Sequence, residues 1–192
     1  MIHDELLKNS LRKFYSCNHN KKKLLSVLSN DSTISLRSID WFITNYSKKN
    51  NTYYLIYETP NKIPTFNEKN NHYLTNMNVY HSYKSQLKAY SKQKFDPFCR
   101  RDRILFEIDD ETSVETTVGQ LNFFRWAIGN LILDYIENNK NIIEDDMNTC
   151  LKTMKKEQGK KKNGSRKKRQ ELSLSATRGL NKNHVPIELE FN

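Results

Sequence analysis

The spacing between hydrophobic residues changes along this chain from every three or four positions to every second position, which predicts a structure that combines helices with strands. Between residues 1 and 36, apolar side chains such as Leu7, Leu11 and Tyr15 recur every three or four positions, which predicts one or two short helices. From Ile39 onward the period is two, and residues 52–57 are rich in strand-forming types. Because a polar turn separates them, these two runs predict a hairpin, followed by a long polar loop over 59–76.

Residues 78–91 continue the alternating pattern and predict a longer strand with two different faces. Val79, His81 and Tyr83 begin the face expected to point into the core. The opposite face would carry aromatic and cationic side chains, namely Tyr80, Lys84, Lys88, Tyr90, Lys92 and Lys94. Pro97 cannot donate to a strand ladder and ends the element. A further alternating run at Ile104 predicts the next strand.

The clearest predicted element is a largely buried helix over residues 117–137. Thr117 and Gln120 match a capping box, and an apolar stripe runs from Leu121 to Ile136. A second helix is predicted over 143–154, where acidic residues 144–146 favour the positive end of the helix dipole.

These elements predict an α+β fold: an antiparallel, curved sheet of about four strands packed on the helix 117–137. Residues 37–154 would form this domain, and a helical segment over 1–36 would cover a sheet edge or support a homodimer. Residues 155–192 would be a disordered basic arm with a terminal docking strand, because 155–170 contains no apolar residue that could offset the entropy of ordering.

Positive charge is concentrated in separate blocks. The formal net charge is +10, but residues 104–151 are acidic, whereas 37–103 and 152–169 are basic. The densest basic stretch contains Lys160, Lys161, Lys162, Arg166, Lys167, Lys168 and Arg169. Such a stretch can neutralise phosphates and release counterions, which favours nucleic acid as its partner. A nuclear-localisation signal, an anionic-surface contact and a solvated tail are the alternatives.

The aromatic and cationic face predicted for residues 80–94 is the second candidate nucleic-acid site. Flat rings between ammonium groups can stack unpaired bases and hold their phosphates. The alternative is an ordinary half-exposed strand whose lysines discourage edge pairing. Arg100 and Arg101 could extend this surface, or they could pair with the acidic residues of 107–111 together with Arg103.

The sequence gives little support for catalysis, and no cofactor or metal is expected. It contains no nucleophile elbow, phosphate-binding loop or paired-cysteine motif. His81 is expected in the core, and residues 144–146 are explained by a helix start. The three cysteines are widely spaced, which favours free thiols in a reducing compartment inside the cell. No apolar stretch is long enough for a membrane span, and no secretory signal is apparent.

The last residues regain an alternating pattern, with Val185, Ile187, Leu189 and Phe191 on one face. An exposed strand of this kind can add to the sheet of a partner protein, or it can complete the sheet of its own domain. The sequence alone leaves both alternatives open.

Several segments resemble a small uncharacterised protein family of nucleocytoplasmic large DNA viruses of the mimivirus kind. The resemblance lies in residues 39–46, 90–101 and 119–128, with further similarity at 166–169 and 175–177. It covers residues 39–192. It implies a viral protein that is carried in the virion or acts in a cytoplasmic viral factory, and it assigns no activity.

We therefore expect a non-enzymatic nucleic-acid-binding protein that contacts mainly phosphates, with DNA favoured over RNA. Its roles would be DNA condensation, packaging or assistance to transcription. The alternative is a structural virion protein or adaptor whose C-terminal arm docks onto neighbouring virion proteins. The expected location is the host cytoplasm, the viral factory or the virion, with nuclear entry through the basic arm as a further option.

Overall fold

A computed structural model describes residues 2–29, 32–91, 93–109 and 112–160 of the chain. The chain divides into two compact units, residues 1–152 and 153–192. The helices are α1 (Ile2–Tyr15), α2 (Asn18–Leu28), α3 (Leu36–Trp41), α4 (Ser47–Lys49), α5 (Val79–Tyr90), α6 (Val118–Gly129), α7 (Ile132–Asn138) and α8 (Lys140–Lys160), with a π-helical turn over Phe42–Tyr46. The strands are β1 (Tyr53–Glu58), β2 (Pro64–Thr65), β3 (His72–Asn78), β4 (Ile104–Glu107) and β5 (Ser113–Thr116).

The first unit is built around α6, in which nine of twelve residues are buried. The predicted cap is confirmed, because the Thr117 side chain accepts a hydrogen bond from the Gln120 backbone N–H. Apolar residues occur all around this helix, and Leu121, Phe124 and Ile128 are almost completely inaccessible to solvent. A helix of this kind must be covered by other elements on every side.

Helices α1 and α2 supply part of that cover. Leu11 and Tyr15 are fully buried, and the Tyr15 hydroxyl donates a hydrogen bond of 2.7 Å to the Leu121 carbonyl oxygen. Lys23 of α2 forms an ion pair with Asp134 of α7. The predicted N-terminal helices are therefore confirmed. They pack against the central helix, and Tyr15 also contacts Phe106 of β4 at 6.3 Å between ring centroids.

Strand β1 is the centre of a three-stranded antiparallel sheet with the order β2-β1-β3. Its inner face joins the core through Ile56, which is fully buried, and through Tyr54. The Tyr54 ring stacks on Tyr135 at 5.0 Å between centroids, and Tyr135 stacks on Phe42 at 5.3 Å. The Tyr54 hydroxyl also donates to the Asn130 carbonyl oxygen at 2.7 Å. These contacts fix the sheet against α7 and the π-helical turn.

Two of the predicted strands are helices, so those assignments were wrong. Residues 39–46 lie in α3 and the π-helical turn, with Ile39, Phe42 and Ile43 buried at helical spacing. Most of the predicted strand 78–91 is helix α5, which begins where the Asn78 side chain accepts a hydrogen bond from the His81 N–H. The predicted loop 59–76 contains β2 and most of β3.

The predicted α+β class is confirmed, although its sheet is divided differently. In place of one sheet of about four strands, the described residues form the three-stranded sheet and a separate β4-β5 hairpin. The predicted helix 117–137 is interrupted at Leu131, which has a left-handed backbone conformation with φ of 55°. Asn130 caps α6 just before this point, because its backbone N–H and its side-chain amide both donate to the Trp126 carbonyl oxygen.

Helix α8 begins at Lys140, before the predicted start at 143. Asp146 accepts hydrogen bonds from the Trp41 indole N–H at 3.1 Å and from Lys49 at 2.6 Å. The hydrogen bond from Lys49 lowers the pKa of Asp146. Asp146 thus holds α8 against α3 and α4. Residues 144–146 lie beyond the first turn of α8, which contains no acidic residue, so their predicted place at the helix start was wrong. The helix continues through Lys160, so residues 155–160 of the predicted disordered arm are helical.

Two glycines of α6 provide a matched test of this packing. A Cβ atom on Gly119 would lie 2.9 Å from the Gln93 carbonyl oxygen, whereas one on Gly129 would meet no atom within 4 Å. We expect Gly119→Ala to lower the free energy of unfolding by about 1–3 kcal/mol through overpacking. Gly129→Ala should raise it by roughly 0.5–1 kcal/mol through reduced chain entropy. Urea denaturation of both variants checks the opposite signs, and a stabilising Gly119→Ala would contradict the close packing.

The hydrogen bond of Tyr15 can be tested without removing its ring. Burial raises the pKa of the Tyr15 hydroxyl, which keeps it protonated as a donor to Leu121. Tyr15→Phe should lower the free energy of unfolding by roughly 0.5–1.5 kcal/mol, the usual net value of one such bond. Leu6→Ala is the control on the same helix, because Leu6 is 60% exposed, and it should change stability by less than about 0.5 kcal/mol. If Tyr15→Phe and Leu6→Ala changed the free energy of unfolding equally in urea denaturation, the Tyr15 hydrogen bond would not be what stabilises the packing of α1.

Candidate nucleic-acid interface

Three of the predicted nucleic-acid-binding residues lie in one row on α5, although the element is a helix. Tyr80, Lys84 and Lys88 are four residues apart, and residues at i and i+4 are neighbours on a helix surface. The adjoining side of α5 packs against the core through Tyr83, Leu87 and Tyr90. A spacing of four keeps residues on one face of either a strand or a helix, so the row is retained although its secondary structure was predicted incorrectly.

Lys48 of α4 joins this row and was not among the predicted site residues. Its ammonium group lies 5.7 Å from the centroid of the Tyr80 ring, and that of Lys84 lies 5.9 Å from the same centroid. We refer to Lys48, Tyr80, Lys84 and Lys88 as the Tyr80 cluster. Each cation–π contact contributes about 0.5–1 kcal/mol at an exposed site. The Tyr80 ring therefore contacts cationic side chains from two different helices.

The cations of the Tyr80 cluster are not neutralised within the described part of the chain. No carboxylate of those residues forms an ion pair with Lys48, Lys84 or Lys88. Lys49, the immediate neighbour of Lys48, is by contrast paired with Asp146. The cluster thus presents positive charge that is available to an external anion.

Tyr90 and Lys94 lie apart from this cluster. The half-buried Tyr90 ring stacks on Phe95 at 6.0 Å between centroids, which makes it part of the core boundary. Lys94 is exposed and lines an open pocket of about 450 Å³ together with Arg101 and Lys8, beside the start of α6. Lys92 lies outside the described residues.

Arg100 and Arg103 are already engaged by carboxylates of the same chain. Arg100 makes two hydrogen bonds to the buried Asp96, at 3.0 Å and 2.8 Å, and Arg103 bonds Glu115 at 3.0 Å. Burial raises the pKa of the nearby Asp40, and the charge of Arg100 acts in the opposite direction. Arg100 therefore stabilises a partly buried acidic pair, which leaves it a weaker candidate for phosphate contact than Arg101.

As an alternative, these arginines were predicted to pair with the acidic residues of 107–111. That prediction was wrong for Glu107 and Asp109, the two of these acids that lie in the described ranges. Asp109 forms an ion pair with Lys21 of α2 at 2.5 Å, so that carboxylate binds the N-terminal helices. Residues 110 and 111 are outside the described ranges. The acidic block is used to hold α2 and α8 in place, and this leaves the basic groups of α5 unopposed.

The outer face of the three-stranded sheet is a feature that the sequence analysis missed. Tyr53 is 66% exposed, Tyr73 is 52% exposed, and Leu55 and Leu74 are nearly half exposed. Tyr53 and Leu55 alternate with the inward-facing Tyr54 along β1. We refer to these four exposed residues as the sheet face. The sequence contains a signal for this exposed apolar face. In β1, apolar side chains occupy both the inward-facing and the outward-facing positions, which is unusual for a strand with one side in water.

Other candidate groups have no arrangement that suggests catalysis or metal binding. His81 was predicted in the core, but it is exposed, with its ring edge-on to Tyr80 at 6.1 Å between centroids. Cys99 is partly exposed, and all three cysteines are free. Within the described ranges, no group of three or more His, Cys, Asp or Glu side chains could hold a metal ion.

The strongest cationic stretch of the sequence is largely beyond the structural description. The backbone of Lys160 ends α8, and the other predicted arm residues, Lys161, Lys162, Arg166, Lys167, Lys168 and Arg169, lie outside the described residues. The predicted docking residues Val185, Ile187, Leu189 and Phe191 do so as well. The helices that are described include none with the length and apolar character needed to cross a membrane.

Comparison with known proteins confirms the viral relationship. The chain is 43% identical to an uncharacterized protein of Acanthamoeba polyphaga mimivirus over 157 residues, which are 79% of this chain and 54% of the relative. The chain thus spans about half the length of the curated relative that it matches. No solved structure matches it.

A family model matches residues 2–171, so the relationship includes the N-terminal helices, which the resemblance over 39–192 had omitted. The similarity places this chain among viral proteins of the mimivirus kind. The chain belongs to a family of unknown function, DUF7197.

Proposed function

We propose that this chain is a nucleic-acid-binding protein that acts without catalysis and contacts its ligand mainly through phosphates. The observation that carries the proposal is the Tyr80 cluster, in which Lys48, Lys84 and Lys88 gather on one surface without a carboxylate partner among the described residues. Phosphates neutralised by such lysines release condensed counterions, which supplies affinity without sequence selectivity.

The treatment of lysines elsewhere in the first unit supports this proposal. Lys21, Lys23 and Lys49 are each paired with an aspartate, whereas Lys13 and Lys22 are exposed singly on α1 and α2. What distinguishes the Tyr80 cluster is that two of its lysines lie around one ring. If the lysines of the Tyr80 cluster served only solubility, nothing would require two ammonium groups around the same ring. A polyanion that runs along α5 would instead stabilise this arrangement.

In a viral setting, the proposed activity is condensation, coating or packaging of DNA, or assistance to transcription. The site of action would be the viral factory in the host cytoplasm or the virion, and the basic residues of 160–169 would add further phosphate contacts. The competing function, an adaptor of the virion that docks through residues 184–191, differs in its response to salt. Phosphate contacts weaken steeply as salt rises, whereas a docked apolar strand does not.

The test is a titration of the full chain with single-stranded and duplex oligonucleotides at several salt concentrations. Lys84→Ala combined with Lys88→Ala should weaken binding to every sequence and reduce the slope of log K against log salt by about 2, because two phosphate contacts are lost. Fluorescence anisotropy of a labelled probe measures both quantities.

The matched control is Lys13→Ala combined with Lys22→Ala, which removes two exposed helical lysines and the same charge. This control should leave the salt slope nearly unchanged. Equal losses in both double variants would mean that net charge, and not the Tyr80 cluster, determines affinity. Absence of binding to either probe by the unmodified chain at low salt would refute the proposed function.

A further inference from the structure

We infer that the sheet face is a stacking surface for unpaired bases, which makes single-stranded nucleic acid the ligand of this protein. The inference rests on the proposed function and adds the class of nucleic acid. Its basis is the pair of exposed rings, Tyr53 and Tyr73, beside Leu55 and Leu74 on the solvent side of the sheet. Every base has a flat face that can stack on an aromatic ring, so such a surface needs no particular sequence.

The exposure of these side chains has no explanation within the described part of the fold. The inner side of the sheet already packs on the core through Tyr54, Ile56 and Met77. The outer side of an antiparallel sheet in water normally carries polar residues. Here Asn76 and Asn78 of β3 are polar, but their register partners Leu55 and Tyr53 are not, and Tyr53 has two thirds of its surface in solvent. Among the described residues, the aromatic neighbour of Tyr73 is the edge-on ring of Tyr57, 6.1 Å away between centroids.

The two rings are far enough apart to receive different bases. Tyr73 pairs with Tyr57, which is four residues beyond Tyr53 on β1, after a register shift between Ile56 and Tyr57 that leaves Leu74 as an extra residue on β3. At about 3.3 Å per residue, the two positions are separated by roughly 13 Å along the strand direction. Leu55 lies between them on the same face. The sheet face thus suits a single strand that runs along β1 with its bases against the protein, whereas paired bases within a duplex do not offer their faces.

The sheet face and the Tyr80 cluster meet at the same end of the sheet. Tyr53 pairs in register with Asn78, and Tyr80 follows two residues later at the start of α5. The Val79 N–H donates to the Thr52 carbonyl oxygen at 3.2 Å, which ties the start of α5 to the start of β1. Lys48 precedes β1 by five residues and reaches the Tyr80 ring.

This arrangement supplies rings for bases and cations for phosphates on connected elements, which is the combination that single-strand binding requires. The cations are concentrated at the Tyr53 end. At the other end, the pKa of the Tyr57 hydroxyl is raised by burial and by the negative charge of Glu68. We therefore assign the larger contribution to Tyr53.

The decisive comparison uses two single-stranded probes of equal length, an oligothymidylate and an oligomer of abasic nucleotides. Both carry the same phosphates, but only the first has bases. The full chain should bind the oligothymidylate roughly tenfold or more tightly, since stacking contributes about that factor per base. Tyr53→Thr combined with Tyr73→Thr should remove this preference and leave duplex binding and the salt slope unchanged. Threonine retains a β-branched side chain suited to a strand.

Two controls isolate the role of the rings. Tyr53→Phe combined with Tyr73→Phe keeps both rings and should retain the preference for oligothymidylate. Leu105→Thr removes an apolar side chain that is 69% exposed on β4, in the other sheet, and it too should retain the preference. Unchanged urea denaturation of all three variants would show that each one folds.

The outcomes separate this inference from the proposed function. Equal binding of both probes by the unmodified chain, or an unchanged preference in the threonine variant, would overturn the stacking surface. If the Lys84 and Lys88 substitutions still weaken binding, the proposed function would stand. If the sheet face instead holds two copies of the chain together, the threonine variant would sediment at a lower mass without a change in probe preference, and the inference would be wrong. A chain that binds neither probe would refute both proposals.

Discussion

The near-complete burial of α6 is the constraint on which the rest of the first unit depends. Because Gln120 and Asn122 lie inside the protein, their side chains need partners there. The Gln120 side chain donates to the Pro97 carbonyl oxygen at 2.9 Å and accepts from the Thr116 hydroxyl at 2.8 Å, and the Asn122 amide donates to the Lys94 carbonyl oxygen at 3.0 Å. A buried polar group without such a partner would cost about 1–3 kcal/mol.

These hydrogen bonds fix the path of residues 94–97 across the start of α6, and that path determines how α5 is oriented. The Phe95 ring is placed against Trp126 at 5.6 Å and Tyr90 at 6.0 Å between centroids. The core-facing side of α5 is therefore held by aromatic contacts, and the row that begins at Tyr80 faces outward. The same central helix thus positions a surface to which it contributes no side chain.

The sequence correctly predicted those elements whose apolar residues recur with the spacing of a helix and not with that of a strand. The spacing in α1 and the stripe with its Thr117 cap in α6 have no alternative as strands, and the structure confirms both helices. Residues 79, 83 and 87 are spaced by four, which satisfies a strand face and a helix face equally. Only the Asn78 cap distinguishes the two, and a side-chain cap is a local hydrogen bond that residue periodicity does not reveal.

The candidate site was predictable in part for the same reason. Tyr80, Lys84 and Lys88 share a face in either conformation, so their grouping is recovered. Lys48 could not be assigned, because its position over Tyr80 depends on a turn of helix where a strand was expected. The engagement of Arg100 by Asp96 likewise depends on how residues 94–97 cross α6. Such contacts follow from tertiary packing and have no periodic signal.

The position of the sheet face beside the Tyr80 cluster is the strongest argument that these surfaces have a ligand. A sheet exposed to water is most simply protected from association by charged side chains on its outer face. This protein instead places Tyr53 and Leu55 there, next to Asn78 and Asn76 of β3, and carries the lysines of the Tyr80 cluster on the adjacent helices α4 and α5. Solubility alone does not call for exposed rings beside such a cluster. A ligand with flat apolar faces and a charged backbone would use both surfaces, and a single-stranded polynucleotide has that form.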